Sequence, residues 1–381
     1  MGKIELDHTG SGGGVTLSSD GTDLLLDGTA VGGGPTFYAE TFTATDPLPT
    51  ANGTSCFAIG AYSQANAFGT IALGYDVQAN SLNSTSIGRN SSSQGSRTGT
   101  SLGAMALGGS YASGTDSLAA AIGNNTSTYG ATGANSIAMG YLSKATGTNA
   151  VSIGDTVTAF GTRSTAQGYL STASATYSHV TGRNNVASGN YSTVWGGFLS
   201  TASGSNSSVI NGFSSLAGNG YATAIGPYSM TRANYAFALG GHSFGTQGAG
   251  QSSTFNLVSD TTDATAEAMT TNKSTASTNN QVILPNNSAY AFHGTIVARQ
   301  QAADGTACAA WKVEGLIRRE GSAGTTVLVN SATTVLDNTP SWGMALSADT
   351  TNGYLKIEGT GAASTNIRWV ATIHTSEVTY A

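Results

Sequence analysis

Residues 134–161 read ANSIAMGYLSKATGTNAVSIGDTVTAFG, two 14-residue units that align with each other position by position. Each carries a short apolar string ending in glycine, IAMG at Gly140 and VSIG at Gly154. The string returns along the chain, and its marker glycines are Gly60, Gly74, Gly88, Gly108, Gly123, Gly140, Gly154, Gly168, Gly182, Gly196, Gly212, Gly226 and Gly240. Eight of the twelve intervals are 14 residues and the rest are longer, so the exceptions read as loop insertions on a fixed coil. Self-similarity at a fixed period predicts a solenoid in which each unit buries its apolar face only against its neighbours.

Two-residue alternation, together with abundant Gly, Ser and Thr, excludes a helix and predicts two short strands per unit, joined by tight turns. Two positions before each glycine runs a small, uncharged column: Ala58, Ala72, Ser86, Ala106, Ala121, Ala138, Ser152, Ala166, Val180, Val194, Ile210, Ala224 and Ala238. Five positions after it, Ala or Thr recurs, as at Ala65, Ala79, Ala145, Ala159, Ala173, Ala187, Thr201, Ala217 and Thr231. One and three positions before the glycine the residues are larger. This column predicts an inter-chain face at Phe57, Ile59, Ile71, Leu73, Ile137, Met139, Val151, Ile153, Phe237 and Leu239. It turns polar in mid-repeat, at Thr165, Gln167, His179, Thr181 and Asn211. The small column is expected inside the coil and the large one against other copies, because an apolar wall left bare invites aggregation. A cyclic homo-oligomer of parallel coils covers it most economically.

The 381 residues are only 9% charged, against roughly 25% in ordinary globular domains. A net charge of −6 disfavours nucleic acid as a partner. Cys56 and Cys308 are too far apart in sequence to make a disulfide framework or a metal cluster. No apolar run approaches the ~20 residues of a membrane span, so no membrane insertion is expected. The opening MGKIELDHTG lacks the charged head and apolar core of a signal peptide, which predicts assembly in a cytoplasm.

ANSIAMGYLSKATG (134–147), TNAVSIGDTVTAFG (148–161) and NYAFALGGHS (234–243) resemble the head repeats of YadA-like trimeric adhesins, over roughly half the chain. The resemblance implies an all-β protein, a homotrimeric left-handed parallel β-roll used in adhesion. The opening GKIELDHTGSGGGVTLSSDGTDLLLDG and the C-terminal region resemble fibre proteins of tailed phages, particularly phages of marine cyanobacteria. A phage fibre folds in the host cytoplasm and needs no export signal.

Four regions follow. Residues 1–50 show strand-like runs at Lys3–Leu6, Val15–Ser18 and Asp23–Leu26 between glycine-rich turns, with a further strand over Thr36–Thr45. They are expected to attach to other virion proteins. Asp20, Asp23 and Asp27 lack calcium-loop spacing and read as turn residues. Residues 51–250 are the β-roll. Residues 251–280, rich in Ser, Thr, Asn and Asp, read as a linker, with helical propensity at Ala264–Met269. Residues 281–381 show strands at Tyr290–Gln300, Ala309–Glu320, Thr325–Ser331, Met344–Ser347, Gly353–Glu358 and Ile367–Thr375. They predict an antiparallel β-sandwich or jelly-roll tip that binds host-surface glycan or protein, with Trp311, Trp342 and Trp369 in its core.

The histidines (His8, His179, His242, His293 and His374) lack ligand spacing, and the repeat contains no Glu to pair with its Asp residues. Glu314, Glu320 and Glu358 alternate with Lys312, Arg318, Arg319 and Lys356, as on a solvated strand face. The glycine-rich runs lack a following Lys-Ser/Thr, so no phosphate loop is expected. The expectation is a chain that is not an enzyme and needs no metal or cofactor: a phage fibre on the virion surface displaying a host-attachment domain. The alternatives are a decoration fibre without a receptor role, a tailspike glycan depolymerase and a bacterial trimeric adhesin.

Overall fold

In the computed structural model the described residues are 47–89, 102–120, 128–302, 304, 307–338 and 340–380, with the backbone of five further strands: Ile4–Leu6, Val15–Ser19, Leu24–Leu26, Thr29–Ala30 and Arg97–Thr98. The marker Gly123, its neighbour Ala121, the three N-terminal aspartates and the strand expected over Thr36–Thr45 lie outside them. The chain divides into two units, Met1–Ser127 and Thr128–Ala381.

In the first unit the four N-terminal strands form an antiparallel meander, with Ile4 opposite Leu17, Leu17 opposite Leu26 and Leu25 opposite Ala30. The repeat then winds as a parallel coil. Strands Phe57–Ile59, Ile71–Tyr75, Thr85–Arg89, Met105–Leu107 and Leu118–Ala120 pair in register. Two-residue strands such as Gln64–Ala65 and Gln78–Ala79 make the opposite wall. In the second unit the same two walls recur, from Ile137–Met139 to Phe237–His242 on one side and from Gly130–Ala131 to Leu216–Ala217 on the other.

Close approach of the walls dictates the residue types. Ala138, Ala166, Val180, Val194, Ala145, Ala159 and Ala173 are fully buried. Two serine-rich corner columns complete the interior, and their hydroxyls donate to backbone carbonyls: Ser136 Oγ to Gly133 O (2.6 Å), Ser143 Oγ to Ser152 O (2.8 Å) and Ser215 Oγ to Gly226 O (2.7 Å). A buried hydroxyl is tolerated because it finds such a partner. The marker glycine is required by sterics. At Gly154 (φ +138°) a Cβ would lie 2.1 Å from the carbonyl oxygen of Gly168 in the next coil.

Two adjacent coils carry an extra residue, and this corrects the interior column near Ile210. Val194 pairs with Val209 and Gly197 with Gly212, so Gly196 and Asn211 bulge side by side. Val209 is buried and Ile210 turns outward at 36% exposure. The opposite wall shifts likewise, and Ala202 rather than Thr201 enters the core. Asn185 fills the interior corner beside the bulge. Its Nδ2 donates to Thr181 O (2.8 Å), Gly196 O (3.1 Å) and Gly197 O (3.1 Å), and its Oδ1 accepts from Ser200 N–H (2.9 Å).

Beyond the coil, five antiparallel strands lie in the order Gly250–Thr261, Ile367–Thr379, Ser288–Gln300, Cys308–Arg319 and Val327–Asp337. A second sheet has Tyr354–Thr360 flanked by Gly343–Asp349 on one side and by Ala266–Ala268 and Val282–Ile283 on the other. One core joins the two sheets: Phe255, Tyr290, Ile296, Trp311 and Trp369 from the first, Val282, Leu355 and Ile357 from the second, and Trp342. Trp369 stacks on Trp311 at 5.6 Å and donates through its indole N–H to Thr261 Oγ1 (3.0 Å).

Two expectations for residues 251–280 are corrected. Gly250–Thr261 is a twelve-residue strand of the first sheet, not linker, because Phe255 and Leu257 alternate inward between its polar residues. Within Ala264–Met269 the structure places the short strand Ala266–Ala268, since pairing with Tyr354–Thr360 outweighs weak local helix propensity.

The last coil meets this sheet through strand Phe237–His242, which pairs antiparallel with Gly250–Thr261. A buried ion pair locks the joint: Arg232 Nε lies 3.3 Å from Glu377 Oε2, with the Glu377 side chain wholly buried. Gln251 Nε2 donates to the same oxygen (2.9 Å), Thr375 Oγ1 donates to Glu377 Oε1 (2.8 Å), and Arg232 Nη2 donates to Gly248 O (2.7 Å). Arg232→Ala strands the carboxylate in the interior and is expected to cost about 3–5 kcal/mol in chemical denaturation. Glu377→Gln, which turns an amide NH2 toward groups that all donate and leaves the buried Arg232 charge unpaired, is expected to destabilise as well; an unchanged unfolding midpoint in either variant would refute a role for the charge pair.

Candidate interchain surface

The outward face of the long-stranded wall carries three columns in each unit. Of the predicted inter-chain residues, Ile71 in the first unit and Met139, Ile153, Phe237 and Leu239 in the second are exposed. Phe57, Ile59, Leu73, Ile137 and Val151 are half-buried by their coil neighbours. None enters the coil interior, which small residues already fill.

Among the marker glycines, Gly60, Gly74, Gly88, Gly108, Gly140, Gly154, Gly168, Gly182, Gly196 and Gly226 have positive φ. Gly212 and Gly240 do not. They are held by crowding instead, since a Cβ at Gly240 would lie 1.9 Å from Pro227 O and one at Gly212 2.5 Å from Ser200 Oγ.

The polar interruption in the second unit forms one band, with Thr165 and Gln167 in one strand, His179 in the next and Thr181 just beyond its end. His179 packs at 4.9 Å against Trp195, which is 57% exposed. Its Nε2 is enclosed without a hydrogen-bond partner. Burial pushes the imidazole below its ordinary range, since a charge there loses solvation.

Sequence reasoning missed the third column, which begins one residue after the glycine. Tyr169, Arg183, Phe198, Phe213 and Tyr228 climb this edge of the second unit as a ladder. The Arg183 guanidinium lies 5.5 Å from the Tyr169 ring and 5.0 Å from that of Phe198. Phe213 meets Phe198 at 5.7 Å and Tyr228 at 5.2 Å. Cation–π contacts of this exposure contribute roughly 0.5–1 kcal/mol each. A second ladder stands on a turn: Tyr177 stacks on Tyr191 at 4.9 Å, and Tyr221 on Tyr235 at 4.7 Å. The 14-residue recurrence of these tyrosines was the available signal.

Arg318 pairs with Glu320, and Lys356 with Glu358 at 3.0 Å. His293 and His374 stand opposite each other on neighbouring strands, ring centroids 5.3 Å apart. Hydrogen bonds from Asn352, Gln281 and Thr351 outweigh partial burial at Asp349 and hold its carboxyl below the usual range. Among the described residues no group of three or more His, Cys, Asp or Glu is placed to hold a metal ion. No helix there is long and apolar enough to cross a membrane.

With this geometry in hand, the chain is similar to known proteins in two respects. The YadA head domain repeat matches residues 65–91, 131–155 and 161–178. Two solved structures share weak likeness. The tailspike protein gp49 of Acinetobacter baumannii bacteriophage Fri1, a capsular polysaccharide depolymerase, is 8% identical, with 86% of this chain and 82% of that chain covered and a TM-score of 0.20. The tailspike protein of Acinetobacter phage vB_ApiP_P1 is 9% identical, with 91% and 81% covered and a TM-score of 0.21. No curated protein matches the chain. The expectation of a chain that is not an enzyme is corrected here, because a neighbour of this kind is a depolymerase. That expectation rested on finding no carboxylate pair within one chain, a test blind to pairs built between chains. At these TM-scores the likeness assigns no activity either.

The depressed His179 pKa carries a sign. The folded protein binds fewer protons at this site than the unfolded chain, so its contribution is fully present above about pH 6.5 and is lost as pH falls toward the folded value. Melting temperature is therefore expected to drop on acidification below that point. His179→Gln is expected to flatten this part of the pH profile; an unchanged profile would refute the assignment.

Proposed function

We propose that the chain is a homotrimeric fibre protein of a phage virion whose C-terminal domain attaches to the host surface. The observation that carries this reading is the exposed apolar wall. Met139, Ile153, Ile210, Phe237 and Leu239 are 36–44% exposed on one face of a coil whose interior small residues already fill. Parallel packing of three coils, as left-handed β-rolls, covers that wall without leaving an open end. The YadA head repeat supports the same arrangement.

Residues 1–50 serve as the segment that docks on other virion proteins, the coil is a spacer, and the two-sheet sandwich beginning at Gly250 is the tip. The resemblance of both ends of the chain to tailed-phage fibres supports the virion assignment. Three tips on one shaft turn weak single contacts into firm adhesion.

Native mass spectrometry of the full-length protein is expected to give three times the chain mass. Met139→Asp combined with Ile153→Asp is expected to yield monomers or aggregates, and a monomeric parent protein would refute the trimer. Fluorescently labelled protein is expected to stain a subset of bacterial strains in a panel. Staining of none would favour a decoration fibre without a receptor role.

A further inference from the structure

One column of the coil is a ladder with a missing rung. Tyr177, Tyr191, Asn206, Tyr221 and Tyr235 occupy the same place in successive turns of the second unit. The backbone shows this equivalence twice. All of them hold left-handed conformations, with φ between 56° and 59°. Each N–H also donates to the turn below: Tyr191 to Thr176 O (3.0 Å), Asn206 to Asn190 O (2.8 Å), Tyr221 to Ser205 O (2.9 Å) and Tyr235 to Gly220 O (2.9 Å). Equal backbone geometry sends these side chains out of the turn in the same direction.

The tyrosines stack in two pairs, with 7° between the rings of Tyr177 and Tyr191 and 1° between those of Tyr221 and Tyr235. Asn206 stands between the pairs and has no ring. Coils repeat at ~4.8 Å, so the Tyr191 and Tyr221 rings stand roughly 9–10 Å apart, two steps of the ladder. A gap of two steps takes one flat ring. The exposures agree with an uncovered face on each side of the gap. Tyr191 and Tyr221, which flank it, are 57% and 56% exposed, against 39% for Tyr177 and 44% for Tyr235. Tyr177 is covered by the Arg163 guanidinium, 5.3 Å from its ring centre.

We propose that this gap binds one pyranose ring of a neutral glycan. A pyranose presents flat C–H faces, which suit the negative faces of two tyrosine rings, and carries hydroxyls at its rim. Asn190, Ser205 and Asn206 are exposed on the same turns and offer donors and acceptors to those hydroxyls. None of these residues is charged, so the site has nothing with which to select a carboxylate or a phosphate. An aromatic side chain of a partner protein would fill the gap but leave the polar groups unused. The site goes beyond the fibre reading, which gives the coil only the role of a spacer.

The test uses the full-length protein and saturation-transfer difference NMR with cellohexaose, N-acetylchitohexaose and mannohexaose, and with N-acetyltyrosinamide as the aromatic probe. At least one hexasaccharide is expected to bind, with saturation reaching its ring C–H protons. Tyr191→Ala and Tyr221→Ala are each expected to weaken binding about tenfold. Asn206→Tyr supplies the missing ring from the chain itself and is expected to abolish binding. This variant is expected to melt no lower than the parent, since tyrosine already holds the same backbone conformation at the equivalent rungs. Binding loss with intact melting separates occupation of the gap from unfolding. Undiminished binding by the Asn206→Tyr variant, or binding of none of the three hexasaccharides, would overturn the proposal. Tighter binding of N-acetyltyrosinamide than of any hexasaccharide would overturn it too, in favour of an aromatic side chain from a protein partner.

Discussion

The coil is governed by how closely its two walls approach. At Gly60, Gly74, Gly140, Gly154 and Gly168 the backbones of successive coils meet so closely that a methyl group would overlap a carbonyl. Among the described residues the coil interior holds small side chains, Ala, Ser, Val and Thr, with Asn185. Each coil thus buries little apolar surface of its own. Burial contributes roughly 25 cal/mol per Å², and an alanine column supplies few Å² per residue. The ladder of parallel hydrogen bonds and the serine hydroxyls closing on carbonyls replace a conventional core.

Bulky apolar residues excluded from the interior have only the outside left. A sequence with Ile, Met, Phe and Leu at the outward positions of a sealed coil is consistent only if something covers them. The narrow interior and the proposed association are therefore two sides of one steric constraint. The polar band at Thr165, Gln167, His179 and Thr181 breaks the apolar wall, and neighbouring coils answer with aromatic ladders instead of aliphatic contacts.

Much of this was legible because the constraint acts on residue type. The glycine frame, the small column and the six C-terminal strand candidates all emerge from composition and alternation. What was hidden depends on position. Tyr177, Tyr191, Leu142 and Leu170 hold left-handed backbone at the turns, with φ between 50° and 58°, a conformation their side chains do not announce. In TVWGGF either glycine could continue the frame, so the bulge at Gly196 and the outward turn of Ile210 could not be read. Gly250–Thr261 was lost because its Ser and Thr content spoke for a linker, while the alternation of Phe255 and Leu257 spoke for a strand. The juxtaposition of Arg299 and Arg368 was invisible for a simpler reason: they lie far apart in sequence, and only the strand register makes them neighbours.

The C-terminal sheets obey a different rule, and the joint shows how the two regimes connect. Their strands are long enough to alternate fully, so Trp311, Trp342 and Trp369 pack a core that no coil could hold. A buried Arg232–Glu377 pair must recover a large desolvation penalty, and does so through three further hydrogen-bonding groups, Gly248, Gln251 and Thr375. It specifies one geometry for the joint in a way that a greasy contact between the same surfaces would not. The coil cannot tolerate an ill-fitting side chain, whereas the sheet accommodates a wholly buried carboxylate.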